Sequence, residues 1–162
     1  MIKCFKCSFL FLGTTGVGKT AVGAALAKKL NLSFHDSDIA MEEYYNKSLA
    51  ELWTFGEEKF REYEHNIINN LLNVDNLSNI VLATGGGSVL NDHSRTLLQK
   101  NGTVIYLQAT SKTLTERLNN SYKRPVLLLD SELEMKKKMD QILNERNHLY
   151  KEVADFIIDT NS

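Results

Sequence analysis

Short apolar runs alternate with longer stretches of helical spacing along this 162-residue chain. Ser8-Phe9-Leu10-Phe11-Leu12 reads as a first buried strand. The run 19–30 then carries Val22, Leu26 and Leu30 at helical spacing, and Gly23 within it points to close packing on a sheet. Asn31 is a stop signal, and Leu32-Ser33-Phe34-His35 reads as a second strand. A helix is expected over 39–45. Ser48-Leu49-Ala50-Glu51 has the form of a capping box opening a short helix. A longer helix runs from about 56 to 72, with Ile67, Ile68, Leu71 and Leu72 as its core face. Further strands are expected over 79–83, 103–107 and 156–158, with helices over 91–100, 111–118 and 134–152. This alternation predicts one α/β domain, a five-stranded parallel sheet with helices on both faces.

Composition narrows the function classes. The 19 basic and 20 acidic residues leave a net charge of -1, which speaks against a basic nucleic-acid-binding protein. No apolar run approaches the length of a membrane span, and 8–12 is too short for a signal-peptide core. A cytoplasmic protein with no membrane partner is the expectation. Cys4 and Cys7 are the only cysteines. No second Cys/His cluster completes a metal site with them, so reduced thiols without a function are expected.

The most informative stretch lies between the first strand and the first helix. Gly13-Thr14-Thr15-Gly16-Val17-Gly18-Lys19-Thr20 fits G-x-x-x-x-G-K-[ST], the phosphate-binding P-loop. Its glycines let the backbone wrap a triphosphate, and the following helix turns its N-terminal amides toward the same anion. In that context Lys19 reaches the β- and γ-phosphates, and the Thr20 hydroxyl is a magnesium ligand.

Three other features collect at the same strand ends. Asp36-Ser37-Asp38 follows the second strand, and in an extended segment both carboxylates face one side. A helix N-cap with a solvated neighbour is the plainer reading. Beside a triphosphate, the pair suggests a magnesium partner and a group engaging an acceptor hydroxyl. Thr84-Gly85-Gly86-Gly87-Ser88 follows the third strand, where a ligand pressed against backbone would explain three consecutive glycines. The polar stretch 119–125 holds the only proline, and a loop of this length is a candidate lid, with Arg124 as a phosphate clamp. Arg61, taken alone, reads as a helix residue paired with Glu57, Glu58 or Glu64.

Together these features resemble the shikimate kinase family, a group of P-loop proteins similar to nucleoside-monophosphate kinases. The P-loop, Asp36-Ser37-Asp38, Gly56-Glu57 with Phe60-Arg61, Thr84-Gly85-Gly86-Gly87, Arg124-Pro125, and Arg146 with Leu149-Tyr150 occur in family order. The resemblance implies one kinase domain over 1–162, with a substrate-binding segment at about 36–64 and a mobile lid at about 119–133. It implies ATP and Mg2+ as cofactors, and transfer of the γ-phosphoryl group to the 3-hydroxyl of shikimate in aromatic amino acid biosynthesis.

Residue by residue, Gly13, Thr15, Gly16, Val17, Gly18, Lys19 and Thr20 would bind the phosphates, with Arg117 lying against the adenine. Thr20 and Asp36 would hold the metal. Asp38 would orient or deprotonate the acceptor hydroxyl. Arg61 and Arg146 would clamp the substrate carboxylate, backbone at Gly85, Gly86 and Gly87 would close on the ring, and Arg124 would neutralise the transferring phosphoryl group. Lys19, Asp38 and Arg124 would thus carry the catalysis. Family habit implies a monomer whose partners are shikimate and ATP. The sequence departs from the family pattern at Val126, usually leucine, and at His148, where proline is common. Asp159-Thr160-Asn161-Ser162 is the run expected to border the adenine.

Gluconate kinase, another small-molecule kinase with a P-loop and an acidic pair, is the alternative. The paired arginines and triple glycine favour a cyclic carboxylate. A nucleoside-monophosphate kinase is a weaker rival. A GTPase-type switch needs Asn-Lys-x-Asp, and Asn46-Lys47-Ser48-Leu49 lacks the aspartate. A non-catalytic ATP-binding relative is the remaining alternative.

Overall fold

Side chains on the central strands alternate between two apolar layers, one on each face of a parallel sheet. The structure, a computed structural model, describes residues 8–73, 79–120 and 131–161. Strands β1 (Phe9–Leu12), β2 (Ser33–Asp36), β3 (Ile80–Ala83), β4 (Thr103–Gln108) and β5 (Phe156–Asp159) form the order β2-β3-β1-β4-β5, with every neighbouring pair parallel. Helices α1 (Lys19–Leu30), α2 (Ser37–Tyr45), α3 (Leu49–Trp53), α4 (Glu57–Asn73), α5 (Asp92–Asn101), α6 (Ser111–Asn119) and α7 (Glu132–Val153) connect and cover the strands. A 3-10 turn at Ser88–Leu90 was not among the expected elements.

Leu10, Leu12, Leu82, Val104 and Tyr106 pack with Ile68 of α4, Leu98 of α5 and Tyr150 of α7. The intervening Phe11, Val81, Ile105 and Leu107 pack with Ala27 of α1, Leu114 and Leu118 of α6 and Met139 of α7. This split is the period-2 alternation of a strand buried on both faces. A smaller cluster, Met41, Leu52, Phe60 and Ile67, holds α2, α3 and α4 together as a satellite of the sheet.

One expectation is corrected. Val22 and Leu30 are not the core face of α1: they are 40% and 44% exposed, and the helix packs through Gly23 and Ala27 instead. The ring of Phe34 fills the gap, leaving room only for small residues. A Cβ on Gly23 would lie 2.8 Å from Phe34 Cε2. Gly23→Ala is therefore expected to destabilise the fold by about 1–2 kcal/mol, the overpacking penalty outweighing the gain in helix propensity. Urea unfolding checks this, and an unchanged midpoint would mean that Phe34 yields without strain. Strand β5 forms where expected, at a sheet edge where Phe156, Ile157 and Ile158 are all exposed.

Candidate active site

The P-loop links β1 to α1 as expected, and its backbone is shaped for an anion. Gly18 caps α1 at φ 101°, a left-handed conformation that favours glycine. No side chain caps this end, and the first turn contains no acidic residue, so the N-terminal amides and helix dipole remain directed at the loop. Gly13 has φ 144°, and a Cβ there would stand 2.6 Å from the carbonyl oxygen of Leu107. Lys19 is buried, and its Nζ donates to the carbonyls of Gly13 at 2.6 Å and Thr14 at 3.0 Å.

The acidic pair is arranged differently from the extended segment expected. Asp36 ends β2 and caps α2, its Oδ1 accepting from the amides of Asp38 at 2.9 Å and Ile39 at 3.3 Å. Asp38 is already in the first turn of α2. The N-cap reading is realised at Asp36, and the cap brings both carboxylates into the cavity lined by the P-loop. Thr20 Oγ1 donates to Asp36 Oδ2 at 2.7 Å. This side-by-side hydroxyl and carboxylate is the hard oxygen donor set that suits Mg2+ bound through few protein ligands and a nucleotide.

A cavity of about 250 Å3 joins Thr15, Lys19, Thr20, Asp36, Asp38 and Gly86. A second cavity of about 410 Å3 shares Gly16, Gly18 and Arg117 with it, and extends to Val17, Val22 and Thr160. The exposure of Val22 thus has a positional reason. Arg117 donates to the carbonyl of Val17 at 3.3 Å, to Thr160 Oγ1 at 3.2 Å and to the Thr160 carbonyl. Asn161 is tied in as well, with its Oδ1 accepting from the Thr110 amide at the start of α6.

Beyond Asp38, the glycine run passes the arginines. Gly85 donates its amide to Ser37 Oγ at 3.0 Å, while Ser88 Oγ donates to the Gly85 carbonyl at 2.8 Å. A Cβ on Gly85 would fall on Glu64 and 2.8 Å from Asp38 Oδ1, and one on Gly87 would fall on the Arg61 guanidinium. Arg61 pairs with Glu64 at 2.9 Å and with Glu57 at 3.5 Å, two of the partners its helix position suggested. Its Cζ also lies 5.5 Å from the Trp53 ring and 5.3 Å from that of Phe60, which hold the guanidinium in place. Glu64 is 3% exposed. Burial pushes its carboxyl above the usual range, with neighbouring Arg61 and Arg146 opposing that rise and Asp38 adding to it. The Nε atoms of Arg61 and Arg146 are buried without a hydrogen-bond partner among the described residues. An unmatched buried guanidinium N–H is costly, and an anionic ligand would satisfy it.

A family model described as shikimate kinase matches residues 15–162. The chain belongs to the shikimate kinase family. The shikimate kinase of Francisella tularensis is 38% identical over 157 residues, covering 95% of this chain and 85% of that protein. The crystal structure of shikimate kinase from Bacteroides thetaiotaomicron superposes with a TM-score of 0.87 at 32% identity, covering 94% of this chain and 86% of that one. Shikimate kinase from Acinetobacter baumannii, solved in complex with shikimate, gives a TM-score of 0.86 at 32% identity, covering 96% and 84%.

The fold therefore brings together most of the residues that the shikimate kinase resemblance singled out. The P-loop, Asp36, Asp38, Gly86 and Arg117 line the two cavities, while Arg61, Arg146, Gly85 and Gly87 gather around Glu64 beside Asp38. Arg124, most of the lid, and both Cys4 and Cys7 lie outside the described residues. Glu64 was missed as a site residue, although its position held a signal. It occupies the buried face of α4 between Phe60 and Ile67, where an apolar residue would belong.

Proposed function

We propose that this chain transfers the γ-phosphoryl group of ATP to the 3-hydroxyl of shikimate, giving shikimate 3-phosphate and ADP. The observation carrying this reading is the pair of buried, unmatched arginine Nε groups beside Asp38 and next to a P-loop cavity. One end of such a site suits a polyphosphate. The other suits a small carboxylate whose hydroxyl reaches Asp38.

In this reading Asp38 engages the acceptor hydroxyl and receives its proton as the oxygen attacks phosphorus. Arg61 and Arg146 fix the acceptor through its carboxylate, with Glu64 holding the Arg61 fork in place. The segment 36–64 is thus the acceptor half of the domain. Backbone at Gly85 and Gly87 approaches the ring, since side chains there would displace Glu64 and Arg61. Lys19 stabilises the β- and γ-phosphate charge, and Arg124 adds to it from the lid. Arg117 walls the base cavity. Thr20 and Asp36 would hold Mg2+, which neutralises phosphate charge when bound. In this reading the protein is a cytoplasmic monomer that engages neither nucleic acid nor a membrane.

ADP release from Mg-ATP with shikimate, gluconate or a nucleoside monophosphate as acceptor tests the proposal. Turnover with shikimate alone is expected. Turnover with gluconate and not shikimate would favour the alternative kinase, and binding of ATP without turnover of any acceptor would favour an inactive relative. Arg61→Ala should raise KM for shikimate by one to two orders of magnitude, about the worth of a charge-assisted hydrogen-bonded pair, and leave KM for ATP unchanged. Equal impairment for both ligands would count against the carboxylate clamp.

A further inference from the structure

We infer that Tyr150 is a positioning residue for phosphoryl transfer, its hydroxyl locking the glycine loop that stands between the phosphate loop and the acceptor arginines. This rests on the kinase reading above and adds to it a residue that touches neither substrate. Tyr150 lies on α7 one turn beyond Arg146 and has no exposed surface. Its ring stacks on that of Tyr106, with centroids 4.9 Å apart and planes 26° from parallel. Its hydroxyl donates a hydrogen bond to the carbonyl of Gly86, and the Arg146 guanidinium is close enough to act on it electrostatically.

Gly86 is the member of the triple glycine that packs on the phosphate side. A Cβ there would lie 3.3 Å from the Thr15 amide nitrogen and 3.4 Å from the Gly13 carbonyl oxygen. Its two neighbours face Asp38, Glu64 and Arg61 instead. The loop supplies its own donors for the outer carbonyls: the Ser88 amide reaches Gly85 at 3.1 Å and the Leu90 amide reaches Gly87 at 3.0 Å. The middle carbonyl receives its donor from another element, α7. Arg146, the Tyr150 hydroxyl, the Gly86 carbonyl and the P-loop backbone therefore form a continuous chain of contacts from the acceptor clamp to the phosphate cradle.

That chain sets the separation on which an in-line transfer depends. Phosphoryl transfer is governed largely by positioning, and a misplacement of about 1 Å can lower the rate about a hundredfold. Burial pushes the Tyr150 hydroxyl up to about 12, so it remains a proton donor at ordinary pH. The side chain therefore acts as a permanent strut rather than as an acid or base.

Tyr150→Phe keeps the ring, its volume and its stacking, and removes only the strut. With saturating substrates kcat should fall about tenfold, while KM for ATP and for the acceptor stay close to wild type. Tyr106→Phe is the matched control. It removes a buried hydroxyl from the same stacked pair, but that hydroxyl donates to Asn147 Oδ1 at 3.0 Å and not to the glycine loop. Both variants should lose a few degrees of thermal midpoint, and only Tyr150→Phe should lose kcat. Wild-type kcat in Tyr150→Phe, an equal kcat loss in Tyr106→Phe, or a raised acceptor KM at unchanged kcat would each overturn the inference. A wild-type protein that used another acceptor in place of shikimate would refute the substrate reading alone, because the same comparison of variants can be made on that acceptor.

Discussion

Asp38→Asn is expected to lower kcat with shikimate by about two to four orders of magnitude, the range for loss of a positioned general base. The carboxylate stands in the first turn of α2, on the wall of the cavity that also holds Lys19 and Thr20. Its backbone is fixed by the Asp36 cap and, through the Ser37–Gly85 hydrogen bond, by the glycine loop. Asparagine has nearly the same shape, so the loop and cap should survive and KM for ATP should change little. The loss would then appear in the chemical step, which single-turnover kinetics isolates from product release. A variant that kept wild-type kcat while binding shikimate poorly would make Asp38 a binding residue only.

Lys19→Ala should reduce kcat by about two to three orders of magnitude, comparable to removing one preorganised donor from a transition state. Two separate contributions are lost together. The ammonium charge no longer opposes the charge on the β- and γ-phosphates, and the buried Nζ no longer bridges the carbonyls of Gly13 and Thr14. Lys19→Arg distinguishes them, because it keeps the charge and replaces a compact point donor with a planar fork that does not fit the same two carbonyls. Steady-state rates and calorimetric ADP binding should show Lys19→Ala impaired in both, with Lys19→Arg between it and wild type. Near-normal turnover in Lys19→Ala would remove the lysine from the mechanism.

The layout of the domain could be read from the sequence because its signals were strong and local. Short apolar runs between helical stretches gave the parallel sheet, and Gly23 correctly signalled a close approach, here to Phe34. Signals that depend on partners distant in sequence were weaker. Val22 and Leu30 have the spacing of a core face, but the Phe34 ring leaves α1 room to pack only through Gly23 and Ala27. Asp36 and Asp38 were brought to the P-loop by a helix cap rather than by strand alternation. Glu64 looked like an ordinary i,i+3 partner of Arg61, and only the fold sets its carboxylate beside Asp38 and Arg146. Leu149-Tyr150 was visible as part of a family pattern, whereas the bond from Tyr150 to Gly86 spans 64 residues and has no local trace.

The most direct test of the account is the position of the phosphate in the product. After incubation of the wild-type protein with Mg-ATP and shikimate, a two-dimensional proton–phosphorus spectrum should show one new phosphomonoester coupled to the ring proton at carbon 3, in equal amount to ADP. A phosphate on another hydroxyl would mean that the arginines hold the ring in a different orientation. ADP formation with no new ester would mean that water is the acceptor, and either result would contradict the proposed site.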